Sequence, residues 1–277
     1  MKKQLVVFIL IMVLLASCGK DVDPINCSVQ PDNTEESKDL NILFIGTSHT
    51  YFNDMPDIVK QIGKSVGDSV HIKMSAPGGY DFERHVMLKA TIDALDSCAW
   101  DYIILQESGW RTALPQDSLN TRVFPFAKEF KNIISKKQPL AKLILYMTNG
   151  YTKGVGSFNT NWCNDEPLVC SYAGMQNRIR DTYITLSKIM EAEIAPAGMV
   201  WKSLIQRRSN IPLFDPDGIH PSLTGSYVQA LTIYSLVRRK ELKNVFVPTG
   251  ISNDDAILIQ DAVFDMVFQC TPNWTTF

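Results

Sequence analysis

The fold of this chain is decided by one stretch, Ile42-Leu43-Phe44-Ile45-Gly46-Thr47-Ser48-His49-Thr50. Its four leading apolar residues predict a buried β-strand that stops at Gly46. A helical pattern opens at residues 53–56, so Ser48 lies at the carboxyl end of a strand, where open α/β sheets bind ligands. A helix N-terminus there also offers N–H groups to an anion. Ser48 is therefore a candidate nucleophile whose own N–H can hold an oxyanion. The alternative is a plain βα turn.

A second informative stretch lies near the other end of the chain, Asp215-Pro216-Asp217-Gly218-Ile219-His220-Pro221. It predicts a turn that leads into a helix, with Pro221 suited to the first helical position. A serine hydroxyl needs a base to take its proton, and the base works best when a carboxylate orients it. Asp217 and His220 are three residues apart, which lets the carboxylate reach one imidazole nitrogen while the other faces outward. The alternative is a turn made by Asp-Gly beside a solvated histidine.

Together the two stretches resemble the SGNH (GDSL-like) hydrolase superfamily, whose members carry a serine after the first strand and an Asp-x-x-His near the C-terminus. The nearer likeness is to lipoprotein members whose first block reads Gly-x-Ser-x-Thr, as residues 46–50 do here. The resemblance covers roughly residues 39–238. It implies the SGNH hydrolase fold, a flavodoxin-like three-layer α/β/α sandwich around a mostly parallel five-stranded sheet. It also implies a serine esterase that needs no metal or organic cofactor.

The resemblance assigns the catalytic triad to Ser48, Asp217 and His220. It places the oxyanion donors at the backbone N–H of Ser48, at that of Gly79 after the second predicted strand, and at the side chain of Gln106. Many members of the superfamily have an asparagine in the region of Gln106, so the sequence departs from the pattern at this position.

Three further residues are candidates for substrate binding, namely Tyr51, Trp110 and Arg111. Trp110 and Arg111 follow the third predicted strand, in a loop that would cover the substrate. The alternative is a surface loop that contains them by chance. A second loop, over residues 148–170, is rich in Gly, Asn and aromatic residues, and loops of this length are often lids or binding loops.

The hydrophobic pattern predicts strands that alternate with helices, which implies an α/β fold with a mostly parallel sheet covered on both faces. The predicted strands are residues 42–45, 69–76, 101–106, 142–147 and 193–198. The predicted helices are residues 54–66, 81–97, 123–137, 171–191, a segment ending near 208, 221–238 and 253–268.

The amino end resembles the signal peptide of a bacterial lipoprotein, over residues 1–18. Lys2 and Lys3 precede an apolar run at residues 5–16, which is too short to span a membrane comfortably. The run ends at Leu15-Ala16-Ser17-Cys18, which is similar to a lipobox and implies lipidation of Cys18. The alternative is a plain secretory signal with an incidental cysteine.

Residues 19–38 hold few apolar side chains and predict a flexible tether, and residues 39–277 form the predicted hydrolase-like domain. The acidic residues after Cys18 resemble signals that send lipoproteins to the outer surface of some Gram-negative bacteria. The expected location is therefore the bacterial cell envelope, at the outer membrane, with the lipid anchor as the contact with the membrane.

Six cysteines fit an exported protein, and Cys163 with Cys170, which flank a turn-like segment, is the predicted disulfide. The sequence has no CxxC spacing and four histidines, so we expect no metal site. A net charge of −2 without a basic run predicts no nucleic-acid partner.

The expected activity is hydrolysis of carboxylic esters of a small molecule or a glycan through an acyl-serine. Acetyl esters on glycans suit an exported protein with aromatic loops, because aromatic faces stack on sugar rings. Two alternatives remain, a lipase or lysophospholipase of the same superfamily, and an inactive glycan-binding lipoprotein on the same scaffold.

Overall fold

The computed structural model describes residues 38–269. The predicted signal peptide, its lipidation site Cys18 and nearly all of the predicted tether lie outside the described residues. Between residues 38 and 269, no helix is long and apolar enough to cross a membrane.

The centre of the fold is a five-stranded sheet in which every neighbouring pair of strands is parallel, in the order β2-β1-β3-β4-β5. This result confirms the predicted sheet. The strands are β1 (Asp39–Ile45), β2 (Ser69–Ser75), β3 (Tyr102–Leu105), β4 (Lys142–Tyr146) and β5 (Glu193–Ala195).

Helices connect and cover these strands. In the part of the chain that the structure describes they are α1 (Ser48–Tyr51), α2 (Met55–Ser65), α3 (Phe82–His85), α4 (Lys89–Leu95), α5 (Gly109–Thr112), α6 (Gln116–Arg122), α7 (Phe124–Lys137), α8 (Trp162–Asp165), α9 (Tyr172–Met190), α10 (Ala197–Arg207), α11 (Leu223–Arg238) and α12 (Asn253–Phe264). Short 3₁₀ turns occupy Phe52–Asp54, Gly154–Ser157 and Pro167–Cys170, and a π turn follows α12 at Asp265–Gln269.

The strand order explains why both faces of the sheet are covered. The chain moves from β1 to β2 in one direction, then crosses back over β1 and continues through β3, β4 and β5 in the other. Because such crossovers are right-handed, the first connection lies on one face and the later ones on the opposite face. Helix α2 accordingly packs on α11, whereas α7 packs on α9. The result is the predicted three-layer α/β/α sandwich.

Strand β1 lies at the position where the strand order reverses. Residues 42–45 are completely buried, because helices cover both faces of the parallel sheet and leave neither side of the strand in water. Ligands bind beyond the carboxyl ends of the strands at such a reversal point in open α/β sheets. The residues after β1 therefore occupy the ligand-binding position of the fold.

The predicted helix at residues 81–97 is divided into α3 and α4. Asp81 caps α3 by accepting the N–H of Arg84, and Leu88 has an extended backbone just before α4. The break turns His85 inward, where Nε2 lies 2.9 Å from the carbonyl oxygen of Gly46 and Nδ1 lies 2.8 Å from Thr91 Oγ1. A continuous helix was predicted because this long-range contact leaves no mark on the local pattern.

The predicted loop at residues 148–170 holds short helical turns and a disulfide between Cys163 and Cys170, whose Cα atoms are 5.5 Å apart. The predicted pairing is confirmed. The bond closes a small loop next to the turn at Gly154–Ser157, so this part of the chain is braced.

Candidate active site

The turn after β1 is tight and carries Ser48 as the first residue of α1. Gly46 is required there, because a Cβ atom at this position would lie 2.3 Å from Thr50 Oγ1 and 2.8 Å from Gln106 Oε1. The short helix α1 was not predicted from the sequence, whereas the helix predicted at residues 54–66 is α2. Ser48 itself is half-buried, at the carboxyl edge of the sheet.

The structure brings Ser48, Asp217 and His220 together, although the serine and the histidine are 172 residues apart. His220 Nε2 lies 2.9 Å from Ser48 Oγ, and His220 Nδ1 lies 2.5 Å from Asp217 Oδ2. With Nδ1–H donating to the carboxylate, the lone pair of Nε2 faces the serine hydroxyl. This chain of hydrogen bonds is the arrangement in which an imidazole takes a proton from a nucleophilic serine.

The turn that carries Asp217 and His220 holds the carboxylate by both oxygens. Asp217 Oδ1 accepts the backbone N–H groups of Ile219 at 2.8 Å and His220 at 2.9 Å, which leaves Oδ2 for the imidazole. Gly218 has a φ of +70°, a conformation that favours glycine, and it allows the chain to turn this sharply. Partial burial raises the pKa of Asp217, but the hydrogen bonds from the His220 side chain and from these N–H groups outweigh it, so the net pKa lies below its usual value.

Gly79 lies after β2 at the same edge of the sheet, with a φ of +72°. It is exposed, and no other group lies within 4 Å of the place where a Cβ atom would stand. Its carbonyl accepts the Arg84 guanidinium at 2.8 Å. The Ser48 N–H, the other backbone donor, contacts Thr47 Oγ1. The assignment of Ser48 and Gly79 as oxyanion donors stays a prediction.

Gln106 does not fit the role of oxyanion donor that the sequence predicted. Its side chain is buried, and Oε1 accepts the Thr47 N–H and the Thr50 hydroxyl, both at 2.9 Å. Its Nε2 donates to the Glu107 carbonyl at 2.7 Å. The amide is thus bound within the protein, and we correct its role to that of a residue that holds the turn around Ser48.

Arg111 is also corrected, since its side chain is only 4% exposed and does not reach a substrate. Its guanidinium pairs with Asp81 at 2.9 Å and with Glu83 at 2.5 Å, and donates to the Arg122 carbonyl at 2.8 Å. The sequence pattern could not place it, because its acidic partners lie at the start of α3, well before it in the chain.

The other two predicted substrate-binding residues lie nearer to solvent. Tyr51 is exposed, and its hydroxyl stands 3.1 Å from the position of a Cβ atom on Gly78, beside the predicted oxyanion donor Gly79. Trp110 is half-buried and stacks with Phe158, with ring centroids 6.0 Å apart, while Trp162 lies 5.5 Å from Trp110. We call Trp110, Phe158 and Trp162 the aromatic group.

The aromatic group is connected to the triad through Tyr151. The Tyr151 ring stacks on His49 at 6.0 Å, and its hydroxyl oxygen accepts a hydrogen bond from the backbone N–H of Trp110. A cavity of about 240 Å³ lies beside the aromatic group. Trp162 and apolar side chains line most of it, and the charged residues Arg122 and Glu166 line the rest. Among the described residues, no cluster of three or more His, Cys, Asp or Glu side chains is positioned to hold a metal ion.

Three residues that follow Ser48 also contact the histidine turn, and the sequence analysis missed them. His49 Nε2 lies 3.1 Å from the Ile219 carbonyl oxygen, and Asn53 Nδ2 lies 2.9 Å from the Pro221 carbonyl oxygen. The Phe52 ring stacks on the His220 imidazole, with centroids 4.1 Å apart and planes 4° from parallel. The signal for His49 was its place next to Ser48. Nothing local indicated the other two.

His49 is a neutral donor. Burial, and then the nearby His220, lower the pKa of His49 from 6.5 to about 3, while the hydrogen bond to the Ile219 carbonyl opposes this shift. A neutral imidazole that donates from Nε2 carries no proton on Nδ1. His49 therefore remains uncharged beside the triad, where its ring centroid lies 5.3 Å from that of His220.

Two further titratable side chains, Glu107 and His85, are buried in the protein. Burial raises the pKa of Glu107 to about 8, although the backbone N–H groups of Phe82 and Ser108 donate to its carboxylate. Burial likewise lowers the pKa of His85, which contacts the Gly46 carbonyl. Both side chains are completely buried, so His85 supports the turn before Ser48 and Glu107 holds the backbone at Phe82 and Ser108.

Comparison with solved structures shows the same fold in other proteins. A DUF4886 family protein from Bacteroides uniformis matches with a TM-score of 0.69 at 18% identity, over 86% of this chain and 96% of that chain. A candidate SGNH hydrolase from Slackia heliotrinireducens matches with a TM-score of 0.57 at 21% identity, over 72% and 98%. A candidate GDSL-like lipase from Parabacteroides merdae matches with a TM-score of 0.52 at 14% identity, over 74% and 98%.

These likenesses show that the chain has the SGNH hydrolase fold. No protein-family model and no curated protein matches the sequence. At identities this low the fold is shared, whereas the activity must be argued from the site.

The burial of His49 makes a prediction about stability and pH. Because its pKa is lowered on folding, the folded state prefers the neutral form, so this contribution is complete above 6.5 and is lost as the pH falls towards about 3. We expect His49→Gln, which keeps a side-chain N–H donor but does not titrate, to lose less thermal stability than the parent between pH 7.5 and pH 4.5. The exposed His71 supplies the control, and His71→Gln should follow the parent. Equal losses in parent and His49→Gln would contradict the prediction.

The contacts of Gln106 make a second prediction. Gln106→Ala leaves the buried Thr47 N–H without its acceptor, which costs about 1–3 kcal/mol, and lets the turn around Ser48 shift. We expect the melting temperature to fall by several degrees and kcat to fall on the order of 10²-fold, since small misplacements of reacting groups cost about this much.

Gln138→Ala is the matched control. Gln138 also bonds to the backbone by both ends of its amide, at Trp100, Leu95 and Cys98, far from the triad. It should lower the melting temperature and leave kcat unchanged. A Gln106→Ala variant with lower kcat and an unchanged melting temperature would restore the oxyanion role.

Proposed function

We propose that this protein is a serine ester hydrolase of the SGNH superfamily that works through an acyl-serine intermediate. The observation that carries the proposal is the hydrogen-bonded series Ser48 Oγ, His220 Nε2, His220 Nδ1 and Asp217 Oδ2. It is placed beyond the carboxyl end of β1, at the position where the strand order reverses. Fold and geometry thus support the same site independently.

The reaction begins when Ser48 Oγ attacks the ester carbonyl carbon and His220 Nε2 takes the hydroxyl proton. Asp217 holds the imidazole in the correct tautomer and stabilises its charged form. The backbone N–H groups of Ser48 and Gly79 are our proposed donors to the oxyanion. His220 then gives its proton to the departing alcohol, and the acyl-serine is hydrolysed by a water molecule that His220 deprotonates in turn.

The proposed oxyanion role of Ser48 requires a local adjustment. Its N–H contacts Thr47 Oγ1, so the hydroxyl of Thr47 must turn away for the N–H to face a substrate oxygen. Thr47 Oγ1 also lies 3.3 Å from Ser48 Oγ, so a change in the χ1 rotamer of Thr47 frees the Ser48 N–H. Gly79 is exposed, and no other group lies within 4 Å of the place where its Cβ atom would stand.

For the substrate we propose acetyl esters carried on glycans. The aromatic group supports this, since Phe158 is 58% exposed and lies against Trp110 on a loop braced by the Cys163–Cys170 disulfide. Flat aromatic faces stack on sugar rings. The adjoining cavity adds charged partners for hydroxyl groups, from Arg122 and Glu166.

We also propose that the protein is a lipoprotein of the bacterial cell envelope, anchored through Cys18. The proposal rests on Leu15-Ala16-Ser17-Cys18 after a short apolar run, and this segment lies outside the described residues. Several acyl chains, at about 0.8 kcal/mol per buried CH₂, form a firm anchor. An enzyme tethered in this way meets polysaccharides at the cell surface, which agrees with the proposed substrate.

The proposed nucleophile predicts the behaviour of Ser48→Ala. We expect loss of p-nitrophenyl acetate hydrolysis by roughly 10⁴-fold or more, and no labelling by a fluorophosphonate probe, with an unchanged melting temperature. Ser69→Ala, on the exposed edge strand β2, is the control and should keep both activities. Parent protein that neither turns over the ester nor takes up the probe would instead indicate a binding module on a hydrolase scaffold.

The proposed glycan predicts a difference between substrates for Phe158→Ala. Removal of this exposed ring should raise KM for an acetylated oligosaccharide several-fold and leave the kinetics with p-nitrophenyl acetate unchanged. Leu168→Ala is the matched control, because Leu168 is 75% exposed on the same braced loop and has no aromatic face. If both substrates respond equally to Phe158→Ala, or neither does, the aromatic group is not a sugar subsite.

The proposed anchor predicts the fate of Cys18→Ser in the bacterial host. The parent should incorporate labelled palmitate and fractionate with membranes, whereas Cys18→Ser should do neither in mature form. Cys98→Ser, which changes a half-buried free thiol, is the control and should leave both unchanged. Membrane association that survives Cys18→Ser would refute the lipoprotein proposal.

A further inference from the structure

The turn that carries the base is held at each of its successive carbonyl groups. The Gly218 carbonyl accepts the backbone N–H and the hydroxyl of Thr152, at 2.9 Å and 3.1 Å. The His220 carbonyl accepts the Asp215 N–H at 2.9 Å. The two carbonyls that flank His220 in sequence, those of Ile219 and Pro221, remain to be satisfied.

Both flanking carbonyls face side chains from the segment that carries the nucleophile. His49, directly after Ser48, donates from Nε2 to the Ile219 carbonyl at 3.1 Å. Asn53 donates from Nδ2 to the Pro221 carbonyl at 2.9 Å. One short segment thus supplies the serine and also holds the backbone on either side of the base.

Phe52 completes this contact on the ring itself. Its face lies parallel to the His220 imidazole at 4.1 Å, so the ring cannot rotate towards Phe52 without a clash. An aromatic face also attracts a cation, so it favours the imidazolium that forms when the serine gives up its proton.

The backbone of Asn53 has a conformation that is unusual for a residue other than glycine. Its φ is +52°, and that of Asp54 is +51°, in the left-handed region that non-glycine residues rarely adopt. Asparagine tolerates this region best among residues that carry an amide donor. The conformation aims the amide at α11, where it also lies 3.0 Å from Ser226 Oγ, and strained backbone of this kind persists only where surrounding contacts determine it.

We propose that His49, Phe52 and Asn53 form a clamp of positioning residues that sets the separation of Ser48 Oγ and His220 Nε2. This inference rests on the proposed function, since the separation matters only if the serine gives its proton to the histidine. The clamp contacts the backbone on either side of the base and the face of its ring, and it takes no part in the transfer of the proton. We therefore expect loss of the clamp to lower kcat, because a displaced base weakens proton transfer in the transition state without changing how the substrate is held.

The main test compares two asparagines. Asn53→Gly removes the donor and keeps the left-handed backbone accessible, so backbone strain is not the variable. Asn244→Gly is the matched control, because Asn244 has a φ of +55°, is exposed and makes no contact with the turn of the base. We expect Asn53→Gly to lower kcat for p-nitrophenyl acetate and the rate of fluorophosphonate labelling by about 10- to 100-fold, with KM within twofold. Asn244→Gly should change none of these.

A second pair of variants tests the other arm of the clamp. His49→Ala removes the nearer donor to the Ile219 carbonyl and leaves only the longer contact of 3.5 Å from Asn149 Nδ2, whereas His49→Gln places an amide N–H at a similar reach to the imidazole. We expect His49→Ala to lower kcat at least 10-fold and His49→Gln to recover most of it. Loss of the same size in both would overturn the role of this hydrogen bond.

Two measurements separate the clamp from a merely structural contact and from failure of the proposed function. Crystal structures of the parent and of Asn53→Gly give the Ser48 Oγ to His220 Nε2 distance without reference to activity, and the clamp requires this distance to lengthen in the variant. An unchanged distance, or a lower melting temperature with unchanged kcat well below it, overturns the clamp. A parent protein without turnover or labelling overturns the proposed function instead. If Asn53→Gly fails to fold, Asn53→Asp takes its place, because aspartate tolerates the same backbone and turns an acceptor towards the Pro221 carbonyl. The same loss of kcat is expected for this variant.

Discussion

The hydrogen bond of 2.9 Å between Ser48 Oγ and His220 Nε2 is the interaction on which the site depends, and it joins two turns that lie 172 residues apart. Neither residue can fix this distance by itself. Strand β1 anchors the first turn, because residues 42–45 are completely buried between two parallel neighbours. Helix α11 anchors the second, and α11 packs on α2, which follows the nucleophile. The fold therefore brings the turns close, and side chains determine the final fraction of an ångström.

Much of the architecture was predictable because it depends on residues that are close to one another in the sequence. The apolar run before Gly46 predicted β1, and alternation of strands and helices predicted a parallel sheet covered on both faces. The spacing of Asp217 and His220 predicted a carboxylate–imidazole pair, since a tight turn brings residues three apart together. The disulfide between Cys163 and Cys170 followed from a turn-like segment between them. In each case the interacting residues are close in sequence.

The predictions that needed correction depend on partners distant in sequence. Gln106 was taken for an oxyanion donor because it ends a strand at the correct edge, but Thr47 and Thr50 occupy its carbonyl oxygen. Arg111 was placed at the substrate because it follows Trp110, but the acidic residues of α3 hold it in the interior. Asn53 gave no signal at all, since its left-handed backbone and its bond to Pro221 exist only in the folded protein.

The two histidines nearest the nucleophile show how environment, not sequence position, selects the base. His49 is adjacent to Ser48 and would be the simplest choice from the sequence alone. It is buried, its Nε2 proton is committed to the Ile219 carbonyl, and burial keeps its pKa near 3, so it stays neutral and immobile beside the triad. His220 is half-buried, has a carboxylate partner at Nδ1 and presents Nε2 to the serine. Because a cation at His49 would oppose the charge that forms on His220 during attack, the neutrality of the first histidine is a condition for the second to act as the base.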